Sequence, residues 1–176
     1  KRRCTQISAL PPVISLIGIM GCGKSNIGYH LARYLGYEFL DTDRIIEAET
    51  GFRVQYLFAL HGEQYFRDLE TAWCAKTLPT AHRAIISTGG GLPVSETNQA
   101  YLKKHSYVIW LDVALETLKA RFIPTEKRPL ASQLEEKFIE RLPIYQALAD
   151  MRYDAGEIDR ATHIKLVDHL KRALST

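Results

Sequence analysis

Cysteine is scarce in this 176-residue chain, and its histidines follow no metal-binding pattern. The three cysteines, Cys4, Cys22 and Cys74, form no CxxC pair, and none of the six histidines belongs to an HExxH-type motif. An odd number of unpaired cysteines is typical of a reducing compartment, and this spacing argues against a metal cluster. We therefore expect a cytoplasmic protein that is held together by its core rather than by disulfides.

The chain also lacks a long apolar run and a strong excess of one charge. No stretch approaches the ~20 apolar residues that span a membrane. Lys and Arg number 23 against 20 Asp and Glu, and a net charge of +3 is too small to indicate nucleic-acid binding. The basic N-terminus is not a convincing signal peptide; it is either a trimmed start or the remnant of a targeting segment. We expect one globular domain, residues 1–176, with neither a membrane nor a nucleic-acid partner.

A glycine-rich stretch in the first fifth of the chain carries the clearest chemistry. An apolar run, Val13–Ile17, breaks into the loop GIMGCGKS, and a helical pattern follows that ends near Gly36. This strand–GxxxxGK[ST]–helix order is that of a phosphate-binding loop. Its glycines let backbone N–H groups converge on an anion, its lysine reaches the outer phosphates, and its serine hydroxyl is a Mg²⁺ ligand. The residues expected to bind the nucleotide are Gly21, Cys22, Gly23, Lys24, Ser25 and Asn26.

Strand and helix patterns alternate along the rest of the chain. Strand patterns cover Val13–Ile17 and residues 37–40, 84–88 and 107–113, and a weaker one begins at Tyr153. Helical patterns lie between them, including residues 134–150, which Pro143 should kink or divide. A last helix should turn Ile164, Val167, Leu170 and Leu174 inward. Such alternation predicts an α/β fold, a parallel five-stranded sheet with helices on both faces.

Polar and glycine motifs follow the second and third strand patterns. Asp41 and Asp43 end the second, and Gly89–Gly91 follow the third. Ligands bind beyond the carboxyl ends of parallel strands, so both motifs should face the crevice of the phosphate loop. One carboxylate would suit Mg²⁺ through water and the other a substrate hydroxyl. The alternatives are a helix cap for either aspartate and a plain tight turn for the glycines; Thr42 or Asp43 could cap the helix that follows.

Two basic sites allow both an ordinary and a functional interpretation. Arg67 could form an i,i+3 surface pair with Glu70, or it could face the crevice. Lys127 and Arg128 lie in a polar stretch interrupted by prolines, residues 124–132, which predicts a solvated loop. In a phosphotransferase the same loop would serve as a closing lid.

In order and content, these motifs resemble those of the shikimate kinases, a group similar to nucleoside-monophosphate kinases. The matches are GIMGCGKSNIG, FLDTDRIIE, HGEQYFRDLE, ISTGGG, KRPL and RLPIYQALADMRYD, spread from about Ile14 to Asp154. The resemblance implies a three-layer P-loop kinase fold with a mobile lid at about residues 123–133. It also implies ATP- and Mg²⁺-dependent phosphorylation of the shikimate 3-hydroxyl, on the chorismate route to aromatic amino acids, by a monomer.

The resemblance also assigns roles by matching position. On the acceptor side, Asp43 would hold the shikimate hydroxyls, Arg67 and Arg141 would clamp its carboxylate, and the Gly89–Gly91 loop would contact the ring through Gly90. On the nucleotide side, Ser25 and Asp41 would serve Mg²⁺ with Ser87 behind them, Arg121 would flank adenine, and Arg128 would close over the phosphates. The catalytic set would be Lys24, Asp43 and Arg128.

The chain departs from the family pattern at three places. Asn26 replaces a usual threonine, and the connection from KRPL to Arg141 is short. After Asp154 the family usually has an adenine-contacting loop rich in Asn, Arg and Pro. Here the sequence is AGEIDRAT, in which Arg160 is the candidate for the adenine contact. Three other functions are alternatives: a gluconate or nucleoside-monophosphate kinase, a GTPase switch and a non-catalytic binder. Assays with a panel of substrates would distinguish the first of these from a shikimate kinase. No NKxD-type motif supports the GTPase, and the intact Lys24 and Asp43 argue against the binder.

Overall fold

A computed structural model describes residues 10–122 and 128–175 of the chain. Strands and helices alternate through both segments. In chain order the elements are β1 (Val13–Ile17), α1 (Lys24–Leu35), β2 (Glu38–Asp41), α2 (Thr42–Thr50), α3 (Val54–His61), α4 (Glu63–Thr77), β3 (Ala84–Ser87), α5 (Glu96–His105), β4 (Tyr107–Asp112), α6 (Leu115–Phe122), α7 (Arg128–Leu148), β5 (Met151–Asp154) and α8 (Thr162–Leu174).

The five strands form one parallel sheet in the order β2-β3-β1-β4-β5. The central strand β1 is buried along its whole length, as expected of a parallel strand with helices packed on both faces. The predicted five-stranded parallel sheet is confirmed. No helix in the described segments is long and apolar enough to cross a lipid bilayer.

Helix α1 begins and ends as its sequence predicts. Gly23 precedes it with φ 99°, and Gly36 ends it in the left-handed region, where its N–H group donates to the carbonyl of Ala32. Ile27 and Leu31 lie on its buried face, against the sheet and α8. The phosphate loop therefore leads into a firmly packed helix.

Helix α2 begins earlier than its sequence pattern suggested. Its N-cap is Asp41, whose Oδ1 accepts from the backbone N–H of Arg44 at 3.2 Å. The expectation that Thr42 or Asp43 caps this helix is therefore wrong. An aspartate in extended conformation at a strand end is already a good N-cap, so the chain passes from β2 to α2 without a loop.

Helix α7 also begins earlier, and it continues through its proline. It starts at Arg128, so the second half of the predicted loop, residues 128–132, is helical, and Pro143 does not divide it. Proline is favoured in the first turn of a helix because its missing N–H has no intrahelical partner there. The Arg-Pro pair at 128–129 thus opens the helix rather than breaking it.

The last helix, α8, was predicted correctly in position but only partly in its buried face. Val167 and Leu170 are buried, as expected, whereas Ile164 and Leu174 are each 39% exposed. Leu166 is buried instead. The face that contacts α1 and β5 is therefore narrower than the apolar residues of the helix suggested.

Helices α2, α3 and α4 enclose a small second core beside the main one. It consists of Ile46, Leu57 and Phe66, each no more than 2% exposed. Phe66 precedes Arg67 on α4, so burial of its ring fixes the rotation of that helix about its axis. This second core holds the basic side of the crevice in place.

Candidate active site

Strand register brings two of the predicted motifs together at the carboxyl edge of the sheet. Asp41, at the end of β2, pairs with Ser87 at the end of β3, which in turn pairs with Leu16 of β1. The phosphate loop leaves β1 at the same edge. These segments enclose a cavity of about 410 Å³. It is lined by Met20, Gly21, Gly23, Lys24, Ser25, Asn26, Asp41, Asp43, Ser87, Thr88 and Gly90.

The phosphate loop has the backbone shape that an anion cradle requires. Gly18, Gly21 and Gly23 all have positive φ angles, which side-chain-bearing residues rarely adopt. Gly23 offers no side chain to the first N–H groups of α1, so these remain for a bound anion. Lys24 is only 8% exposed, and its Nζ donates to the carbonyls of Gly18 and Ile19 at 2.8 and 3.0 Å. The ammonium thus lies against its own loop, within the cavity.

Hydroxyl and carboxylate oxygens meet where a hard cation would bind. Ser25 Oγ donates to Asp41 Oδ2 at 2.6 Å and lies 3.3 Å from Ser87 Oγ. Oxygen ligands of this kind, next to a phosphate site, suit Mg²⁺. Asp41 Oδ1 also caps α2, so the helix-cap alternative is confirmed for this residue, which lines the cavity as well.

Asp43 lines the cavity, and one of its carboxylate oxygens is unpaired. Its Oδ1 is buried without a hydrogen-bond partner among the described residues. Burial raises the pKa of Asp43, the charge of Asp41 raises it further, and Lys24 opposes both. A carboxylate that is incompletely satisfied and has a raised pKa is a better proton acceptor than an ordinary aspartate.

Two glycines of the 89–91 loop leave no room for a side chain, and the third lies against Arg141. A Cβ on Gly89 would lie 2.5 Å from Asp43 Oδ1, and one on Gly91 would lie 2.6 Å from the Cζ of Arg67. A Cβ on Gly90 would lie 3.4 Å from Nη1 of Arg141. The loop is therefore more than a tight turn, since its three residues touch the three side chains expected to hold the acceptor.

Arg67 does pair with Glu70, but not on the helix surface. Its Nη1 and Nη2 donate to Glu70 and Glu63, both at 2.6 Å, and its side chain is only 18% exposed. Burial raises the pKa of Glu70 to about 7 although Arg67 opposes the shift. Each terminal nitrogen of Arg67 keeps a second N–H, so the guanidinium can still bind an anion in the crevice.

Helix α7 contributes Arg141 and, one turn later, Tyr145. Arg141 is 5% exposed, and its Nε has no partner among the described residues. Tyr145 donates its hydroxyl to the carbonyl of Gly90 at 2.6 Å. Sequence reasoning missed Tyr145 and also Thr42, whose Oγ1 accepts from the N–H of Gly89 at 2.8 Å. The i,i+4 spacing of Arg141 and Tyr145 was the available signal for the first, because it places both side chains on one helix face.

Arg121 joins the phosphate loop to the segment that follows β5. Its guanidinium donates to the carbonyls of Gly21, Ala155 and Gly156 at 2.9 to 3.2 Å. A second cavity of about 620 Å³ adjoins this region and shares Asn26 with the first. Arg160, the candidate adenine contact, lines that second cavity.

The predicted lid lies largely outside the described residues. Residues 123–127, with Lys127 among them, belong to neither described segment, and the side chain of Arg128 is outside them as well. The contact of Arg128 with phosphate, and lid closure itself, stay predictions.

Comparison with known proteins agrees with this geometry. The family model for shikimate kinase matches residues 20–171. A shikimate kinase of Persephonella marina is 41% identical over 143 residues, which cover 79% of this chain and 86% of that protein. Another, from a Sulfurihydrogenibium species, is 37% identical over 161 residues, covering 89% and 94%.

A solved structure shows the same similarity in three dimensions. The shikimate kinase of Acinetobacter baumannii, determined in complex with shikimate, has a TM-score of 0.78 to this chain at 31% sequence identity. The match covers 92% of this chain and 91% of that one. The fold of this chain is therefore that of these enzymes.

Proposed function

The chain belongs to the shikimate kinase family, and we propose that the crevice above β1, β2 and β3 is where it performs that family's reaction. The enzyme transfers a phosphoryl group from ATP, with Mg²⁺, to the 3-hydroxyl of shikimate. The product, shikimate 3-phosphate, lies on the chorismate route to aromatic amino acids. One observation supports this location most strongly: Asp43, Arg67 and Arg141 all lie next to the glycine loop at 89–91, beside the phosphate loop.

On the acceptor side, Arg67 and Arg141 bind the shikimate carboxylate, and Asp43 binds its hydroxyls. Both arginines are mostly buried next to the glycine loop, and a planar guanidinium matches a carboxylate in shape and charge. The glycines let the ring approach the backbone. A side chain at position 89 or 91 would occupy space that Asp43 or Arg67 already fills, and one at position 90 would lie against Arg141.

On the nucleotide side, the loop from Gly21 to Asn26 binds the phosphates. Cys22 is fully buried within that loop, which supports a packing role rather than a nucleophilic one. Ser25 and Asp41 would hold Mg²⁺, which supplies charge neutralisation of the phosphates. Arg121 and Arg160 flank the base, which would occupy the larger cavity beyond Asn26, and Arg128 contacts the phosphates from the start of α7.

Catalysis follows from positioning and charge rather than from covalent chemistry. Asp43 orients the 3-hydroxyl and accepts its proton as the new O–P bond forms and the bond to the leaving ADP oxygen breaks. Lys24 is held within reach of the outer phosphates by the carbonyls of Gly18 and Ile19, and it stabilises charge that develops there together with Arg128.

A coupled ADP-release assay tests this function. The enzyme should turn over shikimate with a kcat/KM at least about 100-fold above that for gluconate or nucleoside monophosphates, because only shikimate offers a ring carboxylate to both arginines. A preference for gluconate or for a monophosphate would contradict the acceptor assignment, although the nucleotide site would stand.

We also propose that the chain acts as a single-domain cytoplasmic monomer that binds neither nucleic acid nor membrane. Cys22 and Cys74, the two cysteines within the described segments, are free and buried, which supports a reducing compartment. Light scattering during size-exclusion chromatography measures the oligomeric state directly.

A further inference from the structure

Tyr145 makes the one side-chain hydrogen bond that joins α7 to the glycine loop among the described residues. Its hydroxyl donates to the carbonyl of Gly90 at 2.6 Å, and the side chain is only 2% exposed. Burial raises the pKa of Tyr145 above its ordinary value, so the phenol remains a protonated donor at every working pH. The bond is therefore short and shielded from bulk water.

This bond also determines where the next N–H group is aimed. The carbonyl of Gly90 and the N–H of Gly91 belong to one planar trans peptide unit, and they point in opposite directions. Because the carbonyl faces the Tyr145 hydroxyl, the Gly91 N–H points away from that hydroxyl. Rotation of this peptide plane would need the hydrogen bond to Tyr145 to break.

The neighbouring peptide units are fixed in the same way by other groups. Thr42 accepts from the N–H of Gly89, and the carbonyl of Gly89 accepts from the N–H of Leu92 at 3.1 Å. The carbonyl of Gly91 accepts from the N–H of Val94 at 3.0 Å. Within the described segments, the N–H groups of Gly90 and Gly91 have no acceptor. A Cβ on Gly90 would contact the guanidinium of Arg141, and one on Gly91 would overlap that of Arg67, so both residues lie next to these groups.

We infer that Tyr145 is a positioning residue for acceptor recognition: by holding the Gly90 carbonyl, it presents the Gly91 N–H, between Arg67 and Arg141, to the carboxylate of shikimate. This inference rests on the proposed function, since it assumes that the carboxylate binds at the glycine loop. Tyr145 touches neither substrate nor the reacting atoms in this role. It acts through the backbone of the loop and through Arg141, whose guanidinium lies next to the same hydroxyl.

A purely structural role makes a different prediction. If the bond only attached α7 to the sheet, its loss would lower stability and reduce every kinetic parameter in step. A positioning role confines the effect to the acceptor, because the phosphate loop is held by bonds of its own.

The test compares Tyr145→Phe with Tyr37→Phe as a matched control. Tyr37 also donates its hydroxyl to a backbone carbonyl, that of Pro11 at 3.3 Å, but it lies next to β2 and away from the glycine loop. We expect Tyr145→Phe to raise the shikimate KM by about tenfold or more and to leave the ATP KM within about twofold, since an aligned donor to a carboxylate is lost. Tyr37→Phe should change neither constant.

A second readout uses shikimate methyl ester, which lacks the anionic carboxylate. The kcat/KM ratio of shikimate to its ester should fall in Tyr145→Phe and stay at the wild-type value in Tyr37→Phe. An unchanged shikimate KM, or a parallel rise in both KM values, would overturn the positioning role. Failure of the proposed function itself would appear separately, as a wild-type enzyme that does not prefer shikimate.

If Tyr145→Phe does not yield folded protein, the wild-type enzyme tests the step on which the inference depends, the contact of the Gly91 N–H with the carboxylate. The chain has 11 glycines, so ¹⁵N-glycine labelling gives a simple amide spectrum. Saturating shikimate should shift the Gly91 amide proton downfield, as for a new hydrogen bond to a carboxylate. A Gly91 signal that does not respond would overturn the inference.

Discussion

At the scale of single residues, Arg67 shows how a routine ion pair can belong to a binding site. Its two glutamate partners hold the guanidinium in place while burial keeps it from bulk water. A buried charge held in this way is ready to bind an anion without having to be ordered first.

Replacing Arg67 by lysine tests whether its guanidinium binds the shikimate carboxylate. Arg67→Lys keeps the charge but removes the planar fork, so we expect the shikimate kcat/KM to fall on the order of 10- to 150-fold, the equivalent of one charge-assisted bond of ~1.5–3 kcal/mol. The ATP KM should barely move. The exposed Arg33→Lys, which loses only a contact to Tyr29, is the control. An unchanged shikimate KM in Arg67→Lys would contradict the assignment of Arg67 to the shikimate carboxylate.

The glycine loop offers a pair of substitutions with different expected outcomes. Gly89→Ala would push a methyl group against Asp43 and should lower kcat by roughly 10- to 100-fold, because misplacing a catalytic group by about 1 Å costs that much. Gly91→Ala would displace Arg67 and should act mainly on the shikimate KM. Steady-state kinetics with each substrate separates the two effects, and identical changes in both variants would contradict the separate roles.

The sequence predicts some of these residues well and others poorly, for a physical reason. The phosphate-loop glycines follow from local geometry, since their positive φ angles are a property of the loop itself. The need for Gly89 and Gly91 comes from side chains on other elements, Asp43 on α2 and Arg67 on α4. Thr42 was missed because a hydroxyl that holds a distant backbone has no signature in its own neighbourhood. For Tyr145 the only local signal was its i,i+4 spacing from Arg141, which indicates a shared helix face but not the bond to Gly90.

At the scale of elements, periodicity located the helices better than their buried faces. In α8 the spacing placed Ile164, Val167, Leu170 and Leu174 on one side, but only the middle two are covered by neighbouring elements. Starts of helices were harder still. The sequence pattern places Asp41 at the end of a strand, with a helix cap only as the alternative, and it places the Arg128-Pro129 start in a loop. Capping residues and proline favour turns as much as the first turns of helices.

Alanine substitutions along α8 test its buried face. Leu170 is fully buried, so Leu170→Ala should lower the free energy of unfolding by ~2–5 kcal/mol. Ile164→Ala should cost less than ~1 kcal/mol because that side chain is already 39% exposed. Urea unfolding measures both, with Leu174→Ala as a second exposed control. Equal losses at positions 164 and 170 would show that the helix is rotated.

At the scale of the whole molecule, the sequence predicts the architecture because each of the first three strands ends in a motif with known chemistry. If those motifs form one site, their strands must end at the same edge of the sheet, and parallel strands do so. The lateral order of the strands, β2-β3-β1-β4-β5, was not predicted, since parallel pairing joins segments far apart in the chain and leaves no local pattern. For the same reason, only the resemblance to shikimate kinases brought Arg67 and Arg141 together.

One consequence for the whole molecule concerns stability and pH, through Glu70. Burial raises the pKa of this carboxyl to about 7 from an ordinary value of 4.5. Between these two values the native state holds a proton that the unfolded chain has released. The contribution of Glu70 to stability is therefore fully present below pH ~4.5 and is lost as the pH rises to about 7.

Glu70→Gln isolates this contribution because the effects of other titrating groups largely cancel in the comparison. The glutamine amide can still face Arg67 with its oxygen and can offer an N–H to the unpaired Oδ1 of Asp43 across Gly89. Relative to wild type, the variant should gain stability from pH 5 to pH 7.5, by an amount on the order of 3 kcal/mol at most. Urea unfolding across this range measures the difference. A difference that is constant with pH would mean that Glu70 is ionised throughout, and that its pairing with Arg67 outweighs the cost of its burial.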